Sequence, residues 1–186
     1  MKHFNTLIII IILQNFAVLG QTKQIKKNDT TICLQTIGLA LDNDTIMNGA
    51  QVFLYKENEE LEWNEITSVK YHDHNFIFNL LGNSHYTIKV TKPGYVERSI
   101  SISTVLPEDI VINGDIFIFE FEVTLFKEKK GIDDYYLDFP VALISYNKSS
   151  GVFENSDKYT KHIKSKINEA LSQQQSSSVN ILKGSN

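Results

Sequence analysis

The chain has 186 residues, 42% of them hydrophobic and 22% charged, and carries a formal net charge of −4 at pH 7. This length suits one domain with a short appendage and excludes two large domains. The acidic balance argues against nucleic acid as a partner, because proteins that bind nucleic acid usually present a clustered basic face.

The N-terminal residues 1–20 have the pattern of a cleavable signal peptide. Lys2 precedes an apolar run that begins at Leu7, and Val18 and Gly20 occupy the −3 and −1 positions of a cleavage site. A basic start, an apolar centre and a small residue at the cut are typical of secretory signals. A membrane anchor is the alternative, but the run is shorter than the roughly 20 residues of a bilayer span. We therefore expect an exported protein, periplasmic or secreted, that does not span a membrane after cleavage.

The region that follows has the pattern of a β-sheet protein. Residues 21–31 are polar and are predicted to form a flexible lead-in. From Ile32 to Tyr146, apolar residues recur with a period of two and are separated by turn residues, which is typical of short strands. The clearest strand runs from Phe117 to Phe126, where the odd-numbered side chains share one apolar face. We predict a mainly β fold, a sandwich of seven or eight strands paired antiparallel.

Five further sets of alternating apolar residues mark other strands. They are Ile37, Leu39 and Leu41; Val52 and Leu54; Phe76, Phe78 and Leu80; Tyr86, Ile88 and Val90; and Ile100 and Ile102.

Helical spacing occurs only near the C-terminus. The apolar residues that recur there at four-residue steps are Tyr159, Ile163, Ile167 and Leu171. Ser156 or Asp157 can cap the start, so we predict one amphipathic helix over residues 156–171. Its apolar stripe is expected to pack on the sandwich edge, and docking to a partner is the alternative. Residues 172–186 are of low complexity and are predicted to be disordered.

Three segments within residues 32–104 follow one another as strands and turns. They contain Gly49, Ala50, Val52, Leu54 and Tyr55; Asp73, Phe76 and Phe78; and Tyr86, Ile88, Val90, Lys92, Gly94 and Tyr95. In this order they resemble carboxypeptidase regulatory-like domains, which are transthyretin-like (Ig-like) sandwiches common in exported Bacteroidetes proteins. The resemblance implies the fold and says little about activity, because the matched positions are mostly core and turn residues. The sequence departs from the family where His74 and Asn75 replace the usual glycine. Residues 105–155 are predicted to be a C-terminal strand extension of the same domain.

His72 and His74 are the best candidates for metal chemistry. Residues two apart on a strand share a face, so both imidazoles could approach one metal ion. A zinc site needs a third protein ligand, for which the sequence offers His85 and Glu97 without a telling spacing. A polar hairpin turn explains the same residues, so we predict no cofactor. A metal-dependent or hydrolytic enzyme that uses His72 and His74 is the alternative function.

Two other groups of residues have simple structural interpretations. Asp133, Asp134 and Asp138 could bind calcium through oxygen ligands, but they match no EF-hand loop and fit a solvated acidic loop. Cys33 is the one cysteine of the chain, which excludes an intramolecular disulfide. Between Ile32 and Leu34, it is predicted to be a small buried hydrophobe.

Aromatic residues in acidic segments are the candidates for partner binding. Trp63 lies in the segment EELEWNE, and Tyr135 and Tyr136 lie between acidic residues. Such side chains can stack on sugar rings or anchor a protein interface, or else cover the edges of the sandwich.

No catalytic motif occurs in the sequence. We therefore predict a non-catalytic, exported β-sandwich module that binds a protein or glycan partner in the cell envelope, through loops or an open strand edge. A structural spacer is a further alternative.

Overall fold

The computed structural model describes residues 31–42, 44–72, 74–110, 114–128 and 136–183. Residues 1–20, predicted to be a signal peptide, and nearly all of the predicted lead-in lie outside the described residues. The described elements are β1 (Ile32–Asp42), β2 (Thr45–Ile46), β3 (Gln51–Glu57), β4 (Trp63–Lys70), β5 (Phe76–Leu81), β6 (His85–Thr91), β7 (Arg98–Ser103), β8 (Phe117–Leu125), β9 (Ala142–Asn147), β10 (Val152–Asn155) and α1 (Asp157–Lys183). The prediction of a mainly β chain with one C-terminal helix is confirmed. Across these residues, no helix is long and apolar enough to cross a bilayer.

The strands form two sheets with a shared hydrophobic core between them. In sheet 1, β1 lies in the middle, with β8 along one side and β5 and β2 along the other. Sheet 2 has six strands in the order β10-β9-β7-β6-β3-β4. The buried core residues come from both sheets, which gives a sandwich-like arrangement.

Both sheets are mixed, so the prediction of exclusively antiparallel pairing is wrong. β1 and β8 pair in parallel, from Leu34 opposite Phe117 to Asp42 opposite Leu125. β7 and β9 are also parallel. Parallel neighbours need a crossover connection, and β8, which lies in the other sheet, is part of the crossover from β7 to β9. Side chains alternate in the same way in both kinds of ladder, so the sequence pattern could not distinguish them.

The described residues form ten strands rather than the predicted seven or eight. β2 has two residues and β10 has four, which is too short to show a periodic pattern. The predicted extension over residues 105–155 supplies β8, β9 and β10, and these strands join both sheets. Helix α1 continues to Lys183, beyond the end predicted at Leu171.

Strand β1 presents its smaller residues to the core. Its buried positions include Thr36, Gly38 and Ala40, whereas the larger Ile37, Leu39 and Leu41 are half-buried on the other face. Gly38 lies between Phe76 and Phe121 in the ladder, and a Cβ atom at this position would overlap both rings. The two rings pack edge to face with centroids 5.7 Å apart. Small residues on β1 therefore provide the space that the phenylalanine rings fill.

Most other predicted core positions are buried. They are Val52, Leu54, Phe76, Phe78, Leu80, Tyr86, Ile88, Val90, Ile100, Ile102, Val123 and Leu125. Cys33 is also buried, and desolvation raises the pKa of its thiol to about 11. Its interpretation as a small buried hydrophobe is confirmed.

Helix α1 packs on its own domain. Ile163 and Ile167 are buried, and the Tyr159 hydroxyl donates a hydrogen bond to the Pro140 carbonyl at 2.9 Å. At the helix start, the Thr160 hydroxyl donates to the Asn155 side-chain oxygen at 2.9 Å. The predicted apolar stripe is thus used inside the chain, at least over its first turns.

Candidate functional site

The two histidines of the predicted metal site lie in the loop between β4 and β5. His72 and His74 are exposed and belong to no strand, so they do not share a strand face as predicted. Asp73, between them, is outside the described residues. His85 begins β6, and Glu97 forms an ion pair with Lys89 at 2.7 Å. In the described part of the chain, no group of three or more His, Cys, Asp or Glu side chains is placed to hold a metal ion.

The predicted aromatic candidates have different surroundings. Tyr136 is half-buried, with its ring centroid 6.5 Å from that of Phe139 and 6.0 Å from the Lys166 ammonium of α1. The Tyr136 ring therefore covers the contact between helix α1 and the segment that precedes β9. Tyr135, Asp133 and Asp134 lie outside the described residues, and Asp138 is exposed.

Trp63 begins β4, the edge strand of sheet 2. All eight residues of β4 are exposed, and in the described structure β4 pairs with β3 alone. Its large apolar side chains are unusually accessible: Trp63 is 46% exposed and Ile66 is 55% exposed. An open edge offers unpaired backbone N–H and C=O groups to another strand. The strand contains no proline, the residue that most directly blocks such pairing.

A β-bulge shapes this edge. Leu54 pairs with Thr67 and Tyr55 pairs with Glu65, so Ile66 is the extra residue on β4. A bulge leaves its extra residue out of the ladder and redirects its side chain. Ile66 is 55% exposed and does not pack in the core.

The turn before β4 holds a second exposed apolar side chain in a strained conformation. Leu61 is 75% exposed and has a φ of 61°, a left-handed value that is uncommon for a residue with a branched side chain. The side-chain oxygen of Asn58 accepts hydrogen bonds from the backbone N–H groups of Glu60 at 2.9 Å and Glu62 at 2.8 Å. The Asn58 N–H donates to the Glu62 carbonyl at 2.8 Å. These bonds maintain the strained turn, and strain of this kind concentrates at functional positions.

Leu61 and Ile66 border a cleft of about 630 Å³ at the end of sheet 2. Its opposite side is the β5–β6 turn, where the buried Thr104 hydroxyl donates to the Leu81 carbonyl at 2.7 Å and accepts from the Ser84 N–H at 3.1 Å. Hydrogen bonds thus fix the turns on both sides, so the cleft is preformed. We call the open edge of β4 together with Leu61 and Ile66 the β4 edge surface. Trp63 and Val69 flank it on opposite faces of sheet 2, because they pair with Glu57 and Val52 of β3.

The charge around the β4 edge surface is net negative. Residues 57–65 contain five glutamates; they are Glu57, Glu59, Glu60, Glu62 and Glu65. Two cations flank them, Lys56 in the cleft and Lys70 at the end of β4. The excess of carboxylates favours a partner that carries positive charge.

Trp63 was a candidate from the sequence and stays a prediction, whereas Leu61 and Ile66 were not among the candidates. The sequence did contain a signal for the turn that holds Leu61, because Asn58 followed by acidic residues is typical of a turn closed by a side-chain oxygen. The conformation of Leu61 depends on hydrogen bonds from both sides of the turn, and the exposure of Ile66 depends on strand register. Neither follows from alternation alone.

No family model matches the sequence, and no curated protein matches it either. Among solved structures, 3-chlorocatechol 1,2-dioxygenase from Rhodococcus opacus aligns with 56% of this chain at 11% identity and a TM-score of 0.36. The aligned part spans 63% of that enzyme's chain. A likeness this weak supports no argument about fold or function.

Proposed function

We propose that this chain is a non-catalytic module that binds a protein partner by strand addition to β4. The observation that carries the proposal is the β4 edge itself, exposed over its whole length and paired on one side within the described residues. In strand addition, main-chain hydrogen bonds to the open edge supply affinity and side-chain contacts supply specificity. Leu61 and Ile66 are the proposed apolar anchors.

The partner segment that fits this surface is extended, apolar on one face and basic at its ends. Main-chain pairing along β4 requires an extended strand. Leu61 and Ile66 require apolar side chains opposite them. The surrounding glutamates favour lysine or arginine at the rim, where charge mainly raises the association rate and excludes acidic competitors.

A glycan is the second candidate ligand, and the outer face of sheet 2 is the place where it would bind. The rings of Phe53 and Tyr55 stack there with centroids 6.2 Å apart, and rings on a sheet can stack on sugars. However, the Lys89 ammonium lies over the Tyr55 ring at 5.7 Å from its centroid. Because one ring face is already occupied, this geometry favours the protein partner.

The enzyme and spacer alternatives receive less support. The two exposed histidines bring no further ligand with them in the described part of the chain. A strained, exposed leucine beside an open apolar edge is more than a spacer needs. Export and a transthyretin-like fold belong to the proposal on the strength of the residue patterns at positions 1–20 and 32–104.

The test starts with capture from envelope extract by immobilised residues 21–186. The captured protein is then purified, and its affinity is measured for the wild type, Leu61→Gln and Ile66→Glu. We expect each substitution to weaken binding by about 30-fold or more, as for an interface hot spot of 2 kcal/mol. Both residues are exposed, so the fold should be unaffected.

Ile77→Gln is the matched control, because Ile77 is a 52%-exposed isoleucine on sheet 1. It should bind the partner as the wild type does. Equal affinity of all variants, or no captured protein at all, would contradict the proposal. Binding of glycans that is lost in Tyr55→Ala would favour the second candidate.

A further inference from the structure

A separate groove of about 340 Å³ follows the free edge of β8. One wall consists of the consecutive residues 119–124. Side chains of consecutive strand residues point to opposite faces, so a wall made of all of them includes the main chain of the strand. Within the described residues, β8 pairs with β1 alone. The groove therefore exposes backbone groups that can pair with an added strand.

The rest of the groove comes from sheet 2 and α1. Its floor is apolar and includes Ile100, Val141 and Ile144. Thr160 and Lys164 of the helix form the second wall. An extended chain placed between β8 and α1 would bury apolar side chains against this floor.

Arg98 also lines this groove and is the one arginine of the chain. It is 5% exposed, and its guanidinium lies over the Phe126 ring at 5.2 Å from the centroid. Its Nε and Nη1 atoms are buried and have no hydrogen-bond partner in the described structure. Burial lowers the pKa of this guanidinium to about 10, so the group is still protonated at neutral pH.

An unpaired buried guanidinium opposes folding. The large majority of buried polar side-chain atoms have partners, and burying a charge is costly unless it is paired and hydrogen-bonded. A chain that keeps such a group beside a groove has a donor ready for an anionic ligand. Arginine is particularly suited to carboxylates, because its planar fork of N–H groups matches the two carboxylate oxygens.

The formal charges around the groove balance. Glu120 and Glu122 belong to the β8 wall, and Lys164 lines the groove together with Arg98. Because these two cations and two carboxylates sum to zero, net charge adds no attraction for a dianion such as phosphate, and burying a double charge costs more than burying a single one. A carboxylate on an apolar, extended chain satisfies Arg98, the floor and the strand edge together.

We infer that the groove between β8 and α1 binds an extended peptide whose carboxylate pairs with Arg98. The peptide adds as a strand to β8 and places its carboxylate at the buried guanidinium. This site is distinct from the β4 edge surface and does not depend on the proposal made for it.

The probe is an acetylated pentapeptide of alternating valine and threonine with a free C-terminal carboxylate, compared with the same peptide carrying a C-terminal amide. Since the chain has a single arginine, the Arg98 Nε–H group gives one resonance in ¹⁵N NMR spectra. We expect the acid, and not the amide, to shift this resonance. The acid should bind about 10- to 100-fold more tightly, as for a hydrogen bond to a charged group. Equal affinity for acid and amide, or no shift of the resonance at millimolar peptide, would overturn the inference.

Arg98→Met separates a binding role from a structural one. Without peptide, this variant should melt about 2 to 4 °C above the wild type, because it removes an unpaired buried charge. It should also lose the preference for the acid. Arg98→Lys should keep part of that preference, and Lys148→Met, which removes an exposed cation, should keep all of it. Loss of thermal stability in Arg98→Met together with an undiminished preference for the acid would contradict the assignment of Arg98 as the carboxylate ligand.

Discussion

The two sheets each end in an open strand edge, and the two edges are unlike. β4, on sheet 2, is exposed at every position. β8, on sheet 1, keeps its odd-numbered side chains at least half-buried and only its even-numbered ones exposed. In the described residues β4 pairs with β3 alone. β8 packs against β7 and β10 of the other sheet and borders a groove that residues of α1 also line. The surroundings of an edge, more than the strand's own sequence, decide whether it offers a flat docking surface or a groove.

The largest expected difference between the two edges is in their contribution to stability. Leu125→Ala on β8 removes a buried side chain and should lower the free energy of unfolding by about 2 to 5 kcal/mol. Ile66→Ala on β4 removes an exposed one and should change it by less than about 0.5 kcal/mol. Urea unfolding monitored by circular dichroism measures both. Similar values for the two variants would contradict the difference in burial.

Gly38→Ala tests the packing beside β8. A methyl group at Gly38 would overlap Phe76 and Phe121, and such overpacking typically costs about 1 to 3 kcal/mol. Ser68→Ala on β4 adds no volume to the core and serves as the control. A Gly38→Ala protein as stable as the wild type would show that the rings can move aside, and that glycine is not needed there.

The sequence was sufficient to predict strand β8, because apolar residues recur with a regular period of two over the nine residues from Phe117 to Leu125. It was insufficient for the direction of pairing, since Leu34 opposite Phe117 depends on how the chain crosses between the sheets. The same limit applies to the β4 edge surface at Leu61 and to the groove beside β8 at Arg98, since neither feature could be predicted from the sequence. The strained conformation of Leu61 depends on four hydrogen bonds of one turn. The lack of a hydrogen-bond partner for Arg98 depends on which side chains all the neighbouring elements place around it.

The titration of Cys33 gives a smaller, pH-dependent effect. Burial raises the pKa of this thiol from 9.0 to about 11, so the unfolded chain loses the proton more easily than the folded one. The thiol's contribution to stability is complete below pH 9 and is lost as the pH rises through 11. Stability should therefore fall over this range by roughly 2 to 3 kcal/mol, since one pKa unit corresponds to about 1.4 kcal/mol, and Cys33→Ala should show a shallower fall.

The same thiol provides a kinetic comparison with the β4 edge. Cys33 in the native protein should react slowly with a disulfide reagent at pH 8, since both burial and the raised pKa of its thiol suppress the thiolate. A cysteine introduced by Ser68→Cys at the exposed edge should react at the rate of a free thiol. Equal rates for the two thiols would show that β1 opens easily, and the buried interpretation of Cys33 would have to be given up.

Another small effect on stability is expected at Tyr71, where the chain passes from β4 into the core. Its ring is buried, and its hydroxyl has no hydrogen-bond partner in the described structure. Tyr71→Phe should therefore be neutral or stabilise the protein by up to about 1 kcal/mol. A clear loss of stability in thermal unfolding would show that the hydroxyl has a partner after all.

Amide hydrogen exchange tests the central claim most directly, with residues 21–186 and the partner protein that they capture. Binding should slow exchange along β4, from Trp63 to Lys70, because outward N–H groups gain partners in the added strand. Amides of β8 should exchange as before. A bound partner that leaves exchange along β4 unchanged would contradict strand addition at this edge.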